Sequence, residues 1–182
     1  MTTVLVFFRF PGFSVGAMRG LWAVAVIVLS LPAVGAAWTE IPGPHGSALF
    51  LPPGCAVVPY AEGITRVELP IPAGTLLVEL FLLLEGGIGR IPRGRPVWIG
   101  DRQFLLHRWL EGAAGSRYEA FRFAAALEEG KWVSLTFVIH TANPGMFPEP
   151  PPPYDRGAVL DMMWDILANT RFPLWQGSLR CR

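Results

Sequence analysis

Residues 131–140, KWVSLTFVIH, alternate apolar and polar side chains with period two. Val133, Leu135, Phe137 and Ile139 take one side and Ser134, Thr136 and His140 the other, the pattern of a strand in a half-buried sheet. Turn-forming residues bracket the stretch, Glu129-Gly130 before it and Asn143-Pro144-Gly145 after it, so the chain reverses at both ends. This is expected to be the central strand of the fold. Upstream, Phe121, Phe123, Ala125 and Leu127 repeat the same period, and a turn at residues 128–131 folds them onto the central strand as a hairpin. Ser116 and Glu119 match a capping box and Ala124 to Ala126 favour a helix, but the period of two decides for a strand.

The sheet continues on both sides. Over residues 64–71, Val67, Leu69 and Ile71 alternate with Arg66 and Glu68, and Pro70 suits an edge or a strand end. Residues 75–85 place Leu76, Val78, Leu80, Leu82 and Leu84 on one side and Glu79 and Glu85 on the other. Leucine and glutamate also favour helix, but the Pro-Ala-Gly and Glu-Gly-Gly turns around the stretch favour a strand. Residues 97–99 and 103–110 form a hairpin around Gly100-Asp101. Before all of these, residues 38–59 are rich in proline and glycine and read as an irregular lead-in with one short strand at 48–51. After the central strand, FPEPPPPY at 147–154 is an extended polyproline crossover. The period then turns helical over 157–170: Val159, Met162, Met163, Ile166 and Leu167 form a stripe, Asp155 caps the start and Pro173 ends it. The fold class expected is α+β, a mainly antiparallel β-sheet packed by a C-terminal helix, after an N-terminal signal peptide.

The signal peptide is read over residues 1–37. Met18-Arg19-Gly20 is a short basic start, LWAVAVIVLSL at 21–31 an apolar run, and PAVGAA at 32–37 a small-residue cleavage region. Cleavage falls after Ala36 or Ala37; residues 1–17 fit a start codon placed too far upstream. The alternative is an N-terminal membrane anchor, since residues 21–37 reach the short limit for a span. Cleavage is favoured because Pro32 breaks the run and no charged flank follows it, and no stable anchor then remains. Residues 38–182 are the size of one domain. The leader holds two of the 15 basic residues, Arg9 and Arg19, and none of the 14 acids, so the mature domain has a net charge of −1. That balance predicts no nucleic-acid partner.

Export bears on the two cysteines, because Cys55 and Cys181 would meet oxidising conditions and are expected to form a disulfide. In the chain-entropy model so long a loop is worth about 4–5 kcal/mol. Two cysteines this far apart do not make a metal site, and no metal or other cofactor is expected. A candidate anion clamp is Arg90, Arg93 and Arg95 in the loop at 86–96, since guanidinium groups bind carboxylate and phosphate bidentately; the competing reading is a solvated loop.

Little else in the chain carries chemistry. No GxSxG, HExxH, phosphate-binding loop, dinucleotide fingerprint or calcium loop is present. Of the three histidines, His45, His107 and His140, only His140 suggests a polar site, at the end of the central strand with Asp155 or Asp161 as conceivable neighbours. A triad with Ser134 is excluded, because six residues along a straight strand span about 20 Å at roughly 3.3 Å each. His140 is therefore expected to be an ordinary strand-end residue. Trp98, Trp109 and Trp132 are expected to fill the core of the sheet, with an aromatic binding surface as the competing role.

The phrases GSRYEAFRF and WVSLTFVIHTANPG, the proline-rich crossover and the final MMWDILANTRF together resemble uncharacterised exported bacterial proteins. In layout, over residues 64–172, the chain is distantly similar to sheet-and-helix domains of the PsbP and DcrB type. The apolar 75–85 strand with its proline-rich entry departs from that pattern. The resemblance implies an accessory envelope role and no catalytic residues. The expected function is thus an exported, soluble, non-enzymatic domain, periplasmic or extracellular, that binds a protein or small-molecule ligand. The alternative is a small hydrolase-like enzyme using His140, which requires a second polar or acidic group within hydrogen-bond reach of that ring.

Overall fold

The computed structural model describes residues 37–113 and 115–173. The expected leader, or the anchor read as its alternative, lies outside them up to Ala36, as does Cys181. Among the described residues no helix is long and apolar enough to cross a membrane.

The strand read from residues 131–140 is the middle of a seven-stranded sheet. In chain order the strands of that sheet are β3 (Ala56–Ala61), β4 (Ile64–Glu68), β5 (Leu77–Ile88), β6 (Arg95–Ile99), β7 (Arg102–Ala113), β8 (Ser116–Ala126) and β9 (Lys131–Ala142), the last being the strand in question. All pair antiparallel, in the order β3-β4-β5-β9-β8-β7-β6. A separate hairpin of β1 (Thr39–Pro42) and β2 (Ala48–Leu51) precedes them, and the helix α1 (Arg156–Asn169) follows. The fold is α+β, as the periodicities imply.

The hairpin of β8 and β9 is the one expected from the repeated period. Its turn is a single 3-10 turn at Glu128–Gly130, which pairs Phe123 with Leu135 and Phe121 with Phe137. The 75–85 strand pairs with the other side of β9, setting Leu82 opposite Phe137 and Leu84 opposite Leu135. These side chains, with Val67, Phe104 and Leu106, make one apolar face of the sheet. It is covered by Val159, Met163, Ile166 and Leu167 of α1, by Leu49 and Leu51 of β2, and by Phe172. Asp155 caps α1 as expected, its carboxylate accepting from the Ala158 N–H at 3.0 Å.

Two expectations need correction. The lead-in at 38–59 is not irregular, for it holds β1, β2 and most of β3. β1 turns into β2 through Pro44–Gly46, where His45 takes a left-handed backbone at φ 55°. β3 is an edge strand, exposed along nearly its whole length, so no alternating apolar face marks it in the sequence. The loop expected at 86–96 is also shorter: Gly86, Gly87 and Ile88 extend β5, and Arg95 opens β6. Side-chain-free glycines are required there, because the Trp132 indole lies against Gly87 and Pro44 against Gly86.

Candidate functional site

The second face of the same sheet is covered by no described element. Cross-strand register lays its side chains in rows. One row runs Arg66, Leu83, Thr136, Arg122, His107; the next Glu68, Phe81, Val138, Ala120, Trp109; a third Glu79, His140, Tyr118, Glu111. Trp132 lies on the same face, and so does Trp98, paired opposite Gln103 and 68% exposed. The tryptophans at 98, 109 and 132 therefore do not fill the core; they share the open side. Between them small residues, Ser134, Ala120 and Ala124, are buried within the sheet itself.

Charged groups stack on the rings. The Arg66 guanidinium lies 4.2 Å from the centroid of Phe81, and that of Arg122 lies 5.9 Å from Trp109. His107 packs against Trp109 with centroids 5.3 Å apart, and Arg122 donates to its Nδ1 at 3.4 Å.

His140 lies at one end of this face. Its side chain is only 12% exposed, and Tyr118 stacks on the ring at 4.2 Å with 14° between planes. Neither Asp155 nor Asp161 is its partner: the first caps α1 and the second is exposed on it. The partners are Glu79 on β5, whose Oε2 is 3.3 Å from Nδ1, and Ser116 on β8, whose Oγ is 3.0 Å from Nε2. The carboxylate fixes the tautomer, drawing the proton to Nδ1 and leaving Nε2 to accept from the Ser116 hydroxyl. Glu79 is itself steadied by Arg66, 3.6 Å from its other oxygen. Ser134, set aside for its distance, instead donates to Glu85 at 3.5 Å.

Ser116 also lines a cavity of about 510 Å³ between the end of the sheet, the crossover and the start of α1. Leu76, Ile139 and Pro153 give it apolar walls; Arg117, Asn143, Tyr154 and Arg156 give it polar ones. At its base Glu119, with a side chain 7% exposed, is bound by Arg108 at 2.6 Å and Arg156 at 2.8 Å. Burial pushes the Glu119 carboxyl up, but the hydrogen bonds and charges of the two guanidiniums outweigh it and hold the group below the usual carboxylate range. Burial, with the Glu119 charge, pushes the Tyr154 phenol up, so it stays neutral.

The remaining expected sites stand apart. Arg90, Arg93 and Arg95 are all exposed. No disulfide forms among the described residues: Cys55 is a half-buried free thiol, burial pushes its titration up, and Cys181 lies outside them. Among the described residues no three His, Cys, Asp or Glu side chains gather as a metal site would require.

No family model and no curated protein matches the chain. A crystal structure of a protein from Bacteroides thetaiotaomicron is similar in fold, with a TM-score of 0.51 at 11% identity, over 77% of this chain and 49% of that one. The chain spans about half the length of that protein. At this identity the likeness concerns the fold alone.

Proposed function

We propose that the chain is an exported accessory domain of the cell envelope that binds a ligand across the open face of its sheet. The observation that carries this is the gathering of Trp98, Trp109, Trp132, Phe81 and Tyr118 on a face that no described element covers. Large aromatic side chains are normally drawn inward, and a patch of them left outside is the mark of a contact surface. Interleaved guanidinium and carboxylate groups suit a ligand with flat apolar faces and polar edges, which is the chemistry of a saccharide. A net charge of −1 for residues 38–182 disfavours a polyanion. The distant resemblance in layout to PsbP and DcrB type domains supports an accessory role, and the expected leader supports export.

The test is a titration of intrinsic tryptophan fluorescence with soluble oligosaccharides of the bacterial envelope. A saturable change that Trp109→Ala removes and Trp38→Ala, away from this face, retains supports the reading. Failure of every oligosaccharide to saturate, or a Trp109→Ala variant that binds as well as the parent, overturns it. For export, amino-terminal sequencing of the periplasmic fraction is expected to find a chain starting at Ala37 or Trp38. Met1 or Met18 intact on membrane-bound protein defeats that expectation.

A further inference from the structure

We infer that Ser116, His140 and Glu79 form a nucleophilic site that hydrolyses small acyl esters presented on the open face of the sheet. The two ring nitrogens have the partners that such chemistry needs: the hydroxyl at Nε2, 3.0 Å away, and the carboxylate at Nδ1, 3.3 Å away. The arrangement rests on three adjacent strands rather than on loops. Register sets Glu79 opposite His140 and Tyr118 opposite it on the other side, with Ser116 one step along the same face. Tyr118 stacked on the ring and Arg66 beside Glu79 hold the imidazole in plane and in tautomer.

The Ser116 hydroxyl turns to His140 on the open face, away from the cavity walled by Glu119 and Ile139 of the closed face. Phe81, in the row next to Glu79 on the same face, gives an apolar surface for the hydrocarbon part of a small ester.

The reaction follows from these groups. The Ser116 oxygen attacks the ester carbonyl carbon as its proton passes to His140 Nε2, and the carbonyl electron pair moves onto oxygen. As the pair returns, the bond to the alcohol oxygen breaks and that oxygen takes the proton from Nε2. Water then attacks the acyl-Ser116 ester, giving a proton to Nε2, and the acid leaves as the proton returns to the serine oxygen. Glu79 is a positioning residue throughout, touching neither ester nor water.

The experiment treats the full chain with a fluorophosphonate probe, locates the adduct by peptide mass spectrometry, and follows hydrolysis of 4-nitrophenyl acetate. The adduct is expected on Ser116, and Ser116→Ala is expected to lose it and at least about 100-fold in kcat/KM. Glu79→Gln is expected to lower kcat with KM unchanged and to slow labelling, at an unchanged melting temperature. Trp109→Ala is expected to retain the adduct, so this inference and the binding reading fail separately. No adduct on Ser116 at saturating probe, or hydrolysis that survives Ser116→Ala, overturns it. If Ser116→Ala does not fold, the position of the adduct on the parent chain decides alone.

Discussion

The two faces of β9 are buried to a similar degree by opposite means. On one, Val133, Leu135, Phe137 and Ile139 are sealed by α1, β2 and Phe172. On the other, Ser134, Thr136 and Val138 are also buried, yet no described element lies over them. They are short residues flanked in register by longer ones, Leu83, Phe81 and Arg122. The first face is closed by a second layer; the second is closed only by its own neighbours. The difference teaches that burial along a strand does not by itself identify a core, since a sheet can bury its small residues and still present rings and charges to a partner.

That contrast predicts a gradient of mutational effect. Phe137→Ala, on the closed face, is expected to lose about 3–5 kcal/mol by leaving a cavity among rigid neighbours. Urea unfolding measures it, and a loss below about 1 kcal/mol would put the core elsewhere. Glu119→Gln comes next, at about 1–3 kcal/mol, because two guanidiniums lose the negative charge they share and keep only a neutral amide oxygen; the figure stays modest since Arg108 and Arg156 keep partial contact with water. The carboxyl titrates lower in the folded chain than in the unfolded one. Its contribution is therefore complete above the ordinary glutamate value of about 4.3 and fades as pH falls through the folded value. Melting temperatures of parent and Glu119→Gln should accordingly converge in acid; curves that stay parallel down to pH 3 would remove the ion pair from the account. Smallest is Trp98→Ala on the open face, expected within about 0.5 kcal/mol of the parent. A large loss there would mean that the open face is covered after all.

Much of this architecture is legible in the sequence because it is local. Period two in β8 and β9, joined by a short turn, fixes the hairpin, and the 3.6 period with Asp155 ahead of it fixes α1. β3 escaped because an exposed edge strand has no apolar side to display, and β1 because its partner lies across a strained turn at His45. The site was half within reach. Carried through to residue numbers, the turn at 128–131 sets Tyr118 opposite His140 and so brings Ser116 near it. Glu79 was not readable in that way, for it meets His140 across 61 residues of chain and a pairing that only the assembled sheet defines. The alternation in β9 likewise says that one side is polar, not whether anything lies on top.

The margins of the sheet carry a consequence for how copies of this chain meet. Its outermost strands, β3 and β6, each contain a proline, Pro59 and Pro96, and β3 also slips register between Val58 and Ala61. A proline offers no amide hydrogen to an incoming strand, and a slipped register presents it with no straight ladder. Addition of a further strand is thus blunted at both rims of the described sheet. Backbone ladders of the kind that seed fibrils are thereby disfavoured between copies of the sheet.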